Sequence, residues 1–386
     1  MKNYLNPVIC DIKPSGIRRF FDIAAEMDDV ISLGVGEPDF DTPWSIRETA
    51  IYTLEQGKTV YTANAGLKEL RQEISKYVYR KYHLTYDPIH QILVTVGGSE
   101  AIDLALRAMI VPGDEVLIPE PSYVSYIPCV IMAGGVPVNI PLTSENSFKL
   151  MAEDIEKHIT DKTKAIVFPF PNNPTGSIMT LEDLQPVAEV IRKHDLFVIS
   201  DEIYAELSYG DKPHVSIASL PDMAERTLVI NGFSKAFSMT GWRLGYAMGP
   251  EELVRQMIKI HQFAIMCAPT TSQYAAVEAL RNCDAKVDAM RREYNRRRRY
   301  VLSRLQAMGL TCFEPEGAFY VFPSIQSLHM TSEEFCSSLL YDQKVAVVPG
   351  DAFGEHGEGF VRISYAYSME ELKTALDRIE KFVQGL

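Results

Sequence analysis

The sequence predicts a doubly wound α/β domain with a mostly parallel seven-stranded sheet, joined to a smaller α+β domain drawn from both chain ends. Three observations predict it. Between about residues 47 and 280, short apolar runs alternate with longer helical patterns, as in strand–helix–strand units. The short runs are dense in Val, Ile and Leu, which suits strands covered on both faces by helices. The last part of the chain reads differently, with one long helix followed by short strands.

The strand candidates are 92–96, 115–118, 136–140, 165–168, 196–200, 227–230 and 244–248. Helical periodicity fills most of the gaps, for example over 99–110 and 181–194. Further on, a helix over about 283–308 precedes strands near 318–322, 345–348 and 360–364, and a final helix covers 369–383. The N-terminal arm has no strong sheet pattern of its own and is expected to pack with this C-terminal part. The expected division is a large domain at 47–282, with 1–46 and 283–386 forming the arm and small domain.

Composition narrows the function. The 386 residues carry 38 basic and 51 acidic side chains, a net charge of −13. That balance argues against a nucleic-acid partner and against an anionic membrane surface. The basic run Arg291-Arg292 and Arg296-Arg297-Arg298-Arg299 is the local exception, read as the solvated face of a long helix. The six cysteines make no CxxC pair and no zinc-spaced cluster, so no metal is expected and the thiols read as reduced. The start has no apolar signal core. The most apolar long stretch, 123–141, is too interrupted by Pro128, Gly134, Gly135 and Pro137 for a membrane helix. A cytoplasmic protein is the expectation.

Polar features gather at strand ends. Gly97-Gly98-Ser99 follows the first strand of this region, and Asn172-Asn173-Pro174-Thr175-Gly176 follows the run at 165–168. Asp201 follows 196–200, and Lys235 follows 227–230. Ligands of open α/β sheets bind at the carboxyl ends of strands, so these features form one site. Lys235 sits among small residues in Gly232-Phe233-Ser234-Lys235-Ala236 and is trailed by Arg243. Such a lysine is either a polar-loop charge or an amine held inside a site, where it deprotonates readily and forms a Schiff base with an aldehyde. Gly98, Ser99 and Glu100 open a helix whose free N–H groups and dipole would hold a phosphate. Ser234 and Arg243 could add donors. Asp201 is either a helix cap or a carboxylate that keeps a pyridine nitrogen protonated, making the ring an electron sink. Ile203 would then lie on one ring face, while Tyr204 and Asn173 would reach a phenolic oxygen. Tyr123 either stacks on the other face or is a core tyrosine. Arg362, in the middle of an apolar strand, needs a partner; without a protein carboxylate, a substrate carboxylate fits its fork.

With these residues in hand, the chain resembles the class I/II aminotransferases, pyridoxal-phosphate enzymes of fold type I. The resemblance runs through Gly34-Val35-Gly36-Glu37-Pro38-Asp39-Phe40, Tyr61-Thr62-Ala63-Asn64-Ala65-Gly66, the Asn173–Gly176 turn, Asp201 to Tyr204, the Lys235 motif and Arg362. It is most similar to the gamma subgroup, which includes bacterial aspartate, aromatic and N-acetyl-diaminopimelate aminotransferases. Residues 14–20 and 317–323 resemble the last of these most. The resemblance implies pyridoxal 5′-phosphate as cofactor, bound covalently by Lys235, with its phosphate at Arg243. It places Asp201 at the pyridine nitrogen and Asn173 and Tyr204 at the phenolic oxygen. It gives the substrate α-carboxylate to Arg362, helped by Gly36 and Asn173. Tyr61 would reach the phosphate in a neighbouring subunit, making the active unit a homodimer. The implied reaction moves an amino group between an L-amino acid and a 2-oxo acid by a ping-pong route. One departure is Gly232, where many relatives carry a phosphate-binding hydroxyl; Ser99, Ser234 and backbone groups would then carry more of that contact.

A carbon–sulfur β-lyase on the same fold would use the same lysine, aspartate and arginine. A non-catalytic regulator would add an N-terminal DNA-binding domain, whereas these motifs start by residue 34. A dicarboxylic substrate needs a second cation, for which Arg18, Arg19 and Arg107 are candidates.

Overall fold

Seven strands form the central sheet in the computed structural model, which describes residues 4–14, 16, 27–210 and 213–386. Arg18, Arg19 and much of the 14–20 motif lie outside the described residues. In chain order the strands are β1 (Ile31–Ser32), β2 (Ile92–Thr95), β3 (Glu115–Glu120), β4 (Val136–Pro141), β5 (Thr163–Phe168) and β6 (Phe197–Asp201). They continue as β7 (Thr227–Gly232), β8 (Gly245–Met248), β9 (Tyr320–Val321), β10 (Val345–Ala346), β11 (Val348–Pro349) and β12 (Val361–Ser364). The large sheet runs β2-β8-β7-β6-β5-β3-β4. β8 lies antiparallel to both of its neighbours, and all other pairings are parallel. The expected mostly parallel sheet is therefore present, with one reversed strand.

The apolar runs form strands because helices shield both faces. β2 and β7 are buried at every position. The helix Leu181–Lys193 turns Leu184, Val187, Ala188 and Ile191 inward at spacings of three, one and three, and its start is fixed by a Thr180/Asp183 capping box. The helix Gly98–Met109 likewise buries Ala101, Ile102, Leu104, Ala105 and Leu106. Full burial of each such Leu or Ile contributes roughly 1.5–3 kcal/mol. The broken apolar stretch 123–141 resolves into the helix Tyr126–Met132 and strand β4. Among the described residues no helix is long and apolar enough to cross a membrane.

Beyond the large sheet, β11-β12-β9 form an antiparallel sheet and β1 pairs in parallel with β10. The expected packing of the arm is thus found at 31–33. The Leu33 amide donates to Ala346 O, and Ser364 N donates to Leu33 O, each at 2.8 Å. This pairing carries Gly34–Gly36 toward the carboxyl edge of the large sheet.

The basic run departs from expectation. Arg291 and Arg296 do pair at the surface with Asp288 and Glu293. Arg297 and Arg298, however, are only 5% and 7% exposed. Arg297 binds Asp39 and Glu293, and Arg298 binds Glu314 and the Pro315 carbonyl. Successive residues of a helix point about 100° apart, so four consecutive arginines cannot share one face. Two of them enter the body of the protein, where carboxylates and carbonyls meet them.

Candidate active site

A cavity of about 500 Å³ opens at the carboxyl edge of the large sheet. Its wall includes Gly36, Gly98, Ser99, Tyr123, Asn173, Asp201, Ile203, Tyr204, Ser234, Lys235, Arg243 and Arg362. The strand ends of β2, β5, β6 and β7 do converge on one site, since these four strands point the same way.

The lysine and Arg243 arrive on one loop, because β7 enters the edge and the reversed β8 leaves it. Lys235 Nζ donates to Gly36 O at 2.5 Å, which ties the loop to the arm. Burial in the cavity, followed by the charge of Arg362, lowers its pKa from the ordinary lysine value to about 8. Arg243 has a left-handed φ of 51° and donates from Nη1 to Thr240 O at 3.0 Å. Its other terminal nitrogen faces Gly97. A Cβ there would lie 2.8 Å from Arg243 Nη2, and φ of +79° with ψ of 169° is glycine territory. Gly232 has its own reason to be glycine. A Cβ would lie 3.0 Å from Gly245 Cα across the β7–β8 pair and 3.1 Å from Ile203 Cδ1, so a hydroxyl side chain has little room.

Asp201 ends β6, and a turn rather than a helix follows it. One of its oxygens accepts from Ile203 N at 3.2 Å, and the other accepts from Tyr126 Oη at 2.8 Å. Burial raises its pKa, and these two donors oppose the rise. Asn172 builds the turn after β5, its Oδ1 accepting from the Thr175 amide and hydroxyl. That turn presents Asn173, whose Oδ1 accepts from Arg362 Nη1 at 2.8 Å.

Arg362 is 3% exposed, in the middle of β12. Its guanidinium lies between two rings, 4.4 Å from the Tyr320 centroid and 4.7 Å from that of Phe353. Nη2 donates to Gly34 O, while Nε has no hydrogen-bond partner. Among the described residues no carboxylate pairs with it. Phe353 also reaches the Tyr123 loop, its carbonyl accepting from Ser122 N. Tyr123 lines the cavity, with its hydroxyl 3.3 Å from Ser99 Oγ.

Three residues named in the sequence reading lie outside the wall of this chain's cavity. The Glu100 carboxylate turns back into the scaffold, accepting from Val96 N and meeting the buried His261 Nδ1 at 2.7 Å. Only the backbone of Glu100 is left to face a ligand. The Tyr61 side chain is 77% exposed and does not line the cavity of its own chain. Arg107 pairs with Asp103 one turn earlier on its helix, away from the cavity. Conversely, the site contains residues that the sequence did not single out. Tyr126 holds Asp201; Tyr320 lies 2.8 Å from the Tyr204 hydroxyl; Glu37 bonds Thr240 at the cavity wall. Tyr126 stands three residues after Tyr123, a helical spacing that was the available signal. Tyr320 had none, because its neighbours are set by strand pairing across distant sequence.

An amine of lowered pKa, a buried carboxylate and a buried guanidinium without a described carboxylate partner line one cavity, an arrangement that could serve a carboxylate substrate and an aldehyde cofactor. The family model for aminotransferase class I and II matches residues 28–379. The chain is 54% identical to a putative aminotransferase, YugH, of Bacillus subtilis, over 99% of both chains. It is 49% identical to an aspartate aminotransferase of Pyrococcus abyssi, over 97% of this chain and 96% of that one. It superposes with a TM-score of 0.91 on a crystal structure of an aromatic aminotransferase from Pyrococcus horikoshii, 45% identical, over 96% of this chain and 99% of that chain. The chain belongs to the class I and II aminotransferases, whose members depend on pyridoxal phosphate. It is an aminotransferase.

Proposed function

We propose that this cavity holds pyridoxal phosphate and, in turn, an L-amino acid and a 2-oxo acid, and that donors with aromatic or apolar side chains are preferred to aspartate. The observation that carries the reading is the convergence of Lys235, Asp201 and Arg362 on one cavity. The phosphate lies on the N–H groups of Gly98, Ser99 and Glu100 at the helix start, with Ser234 and Arg243 as further donors. Among the described residues no cation is bonded to Asp201, so a protonated ring nitrogen is a fitting partner for a carboxylate buried there. Tyr204 and Asn173 take the phenolic oxygen, and Ile203 and Tyr123 take the two ring faces. Arg362, Asn173 and Gly36 grip the substrate carboxylate.

The cofactor supplies an electron sink that weakens the bond between the substrate Cα and its hydrogen. Lys235, neutral above about pH 8, takes that proton and delivers it to the other end of the conjugated system. Asp201 keeps the ring nitrogen charged throughout, and Tyr126 keeps Asp201 in place.

The substrate preference follows from charge. Among the described residues, the cations lining the cavity are Lys235, Arg243 and Arg362, and each already has a task. Glu37 adds a negative charge to the wall. Among the described residues a second substrate carboxylate would find no free cation, which is costly for a buried charge, whereas an aromatic side chain meets Tyr123, Pro171 and Tyr320. The test is a single-turnover panel in which the absorbance of the bound cofactor reports its conversion to the amine form. Phenylalanine or tyrosine should react at least about tenfold more efficiently than aspartate, with no release of pyruvate or ammonia. Faster conversion by aspartate would overturn the preference.

The phosphate assignment has its own test. Gly97→Ala forces a strained backbone and crowds Arg243, so the affinity for pyridoxal phosphate should fall about 10–100-fold in a cofactor titration. An unchanged affinity would remove this turn from the phosphate site.

The active unit is a homodimer in which Tyr61 serves the neighbouring cavity. Support comes from an exposed apolar face. Val60 and Tyr61 are 73% and 77% exposed and Phe263 is 88% exposed. Bonds from Thr270 to Val60 O and from Asn64 to Met266 O stitch these segments together. Such a patch marks an interface. The domain division at residues 47 and 282 is supported by the separate sheets, and a cytoplasmic location by the acidic charge and the unpaired cysteines.

A further inference from the structure

We infer that Tyr320 is a positioning residue that commits the one hydroxyl proton of Tyr204 to the cofactor's phenolic oxygen; this rests on the placement of Tyr204 at that oxygen proposed above. Counting protons carries the inference. The two buried hydroxyls are 2.8 Å apart, and either can be the donor. A phenol has one proton to give, although its oxygen can also accept. If Tyr204 gives its proton to Tyr320, nothing remains for a group in the cavity. If Tyr320 is the donor, the proton of Tyr204 is free to point there.

The surroundings favour the second arrangement. The Arg362 guanidinium lies over the Tyr320 ring at 4.4 Å, whereas the cation over the Tyr204 ring, Lys235 Nζ, is 5.8 Å away. A cation on the face of a phenol draws charge from its oxygen and makes its O–H the stronger donor. Burial raises the pKa of both tyrosines. Arg362 is the first influence that opposes this rise at Tyr320, and it opposes the rise at Tyr204 as well, behind the effect of Tyr320. Tyr320 also has little freedom to turn elsewhere. Its hydroxyl rests against Gly36, where any Cβ would overlap it, and its ring packs edge-on against Phe319 and Tyr204.

A chain of two donors ending on the phenolic oxygen is stronger than a single donor, because each bond polarises the next. A stronger donor at that oxygen weakens its hold on the proton shared with the neighbouring nitrogen. The bound chromophore therefore loses that proton at lower pH.

The experiment is a spectrophotometric pH titration of four holoenzymes: wild type, Tyr204→Phe, Tyr320→Phe and the double variant. Tyr204→Phe should raise the midpoint by about 1–2 pH units, the loss of a hydrogen bond to a charged oxygen. Tyr320→Phe keeps the ring under Arg362 and should raise it by roughly half a pH unit. The double variant should titrate as Tyr204→Phe does, since Tyr320 acts only through Tyr204. A shifted Tyr204→Phe beside an unshifted Tyr320→Phe overturns the role of Tyr320 and leaves that of Tyr204 intact. An unshifted Tyr204→Phe overturns the placement of Tyr204, and the inference with it. A double variant displaced beyond Tyr204→Phe shows Tyr320 acting directly and likewise overturns the relay.

Discussion

Lys235→Ala is expected to retain pyridoxal phosphate yet slow amino transfer by at least about 10⁴-fold. Two losses combine in that figure. General base catalysis alone contributes roughly 10²–10⁴-fold, and the covalent attachment that readies the cofactor for exchange with a substrate amine goes with it. The residues proposed to hold the phosphate, Gly98, Ser99 and Arg243, and the Asp201 proposed for the ring all remain at the cavity wall, so binding should persist. Single-turnover absorbance measurements separate the two quantities. Retention of near-wild-type transfer would remove Lys235 from the chemistry altogether.

Arg362→Gln carries the second-largest expected effect, a loss of about 10²–10³-fold in kcat/KM for amino and oxo acids. The buried guanidinium touches Asn173 and Gly34 O but no described carboxylate, and its Nε has no partner. Truncating one member of a buried, hydrogen-bonded charge pair typically costs 2–5 kcal/mol, of which the remaining amide recovers part. The loss should appear mainly in KM, with cofactor affinity close to wild type. The same substitution removes the second-largest influence that lowers the Lys235 pKa, so the amine should titrate above its present value of about 8. An unchanged KM for every carboxylate substrate would show that Arg362 serves only the fold.

Much of this was legible in the sequence because it is local. β7 and the loop that follows it are one continuous segment, so Lys235 could be placed at a strand end from its apolar run alone. The same holds for Asp201 after β6 and for the glycine turn after β2. The seven strands could be found because strands covered on both faces announce themselves by composition. What stayed hidden depends on contacts between distant segments. Tyr320 meets Tyr204, 116 positions earlier, where the Ser208↔Gly317 bridge and the bond from Tyr209 N to Glu316 O join their segments. Glu100 was expected at the ligand through its backbone N–H, and no local pattern says where its carboxylate goes. Its side chain answers His261, 161 positions later. The inward turn of Arg297 and Arg298 likewise depends on Asp39 and Glu314, which no local pattern ties to the long helix.

The reversal of β8 has a consequence for the lifetime of the protein. The chain climbs to the edge on β7 and descends on β8, and both strands sit in the interior of the sheet order. A ligand held by Lys235 and Arg243 therefore clasps the two arms of this hairpin at its top. A cofactor bound there would favour the state in which β7 and β8 stay paired. Ligand binding protects a folded state by RT ln(1 + [L]/Kd), about 2.7 kcal/mol when the ligand is at a hundred times its dissociation constant. Here that protection would fall on the two strands whose separation would split the sheet, so the holoenzyme is expected to resist heat and proteolysis better than the cofactor-free chain.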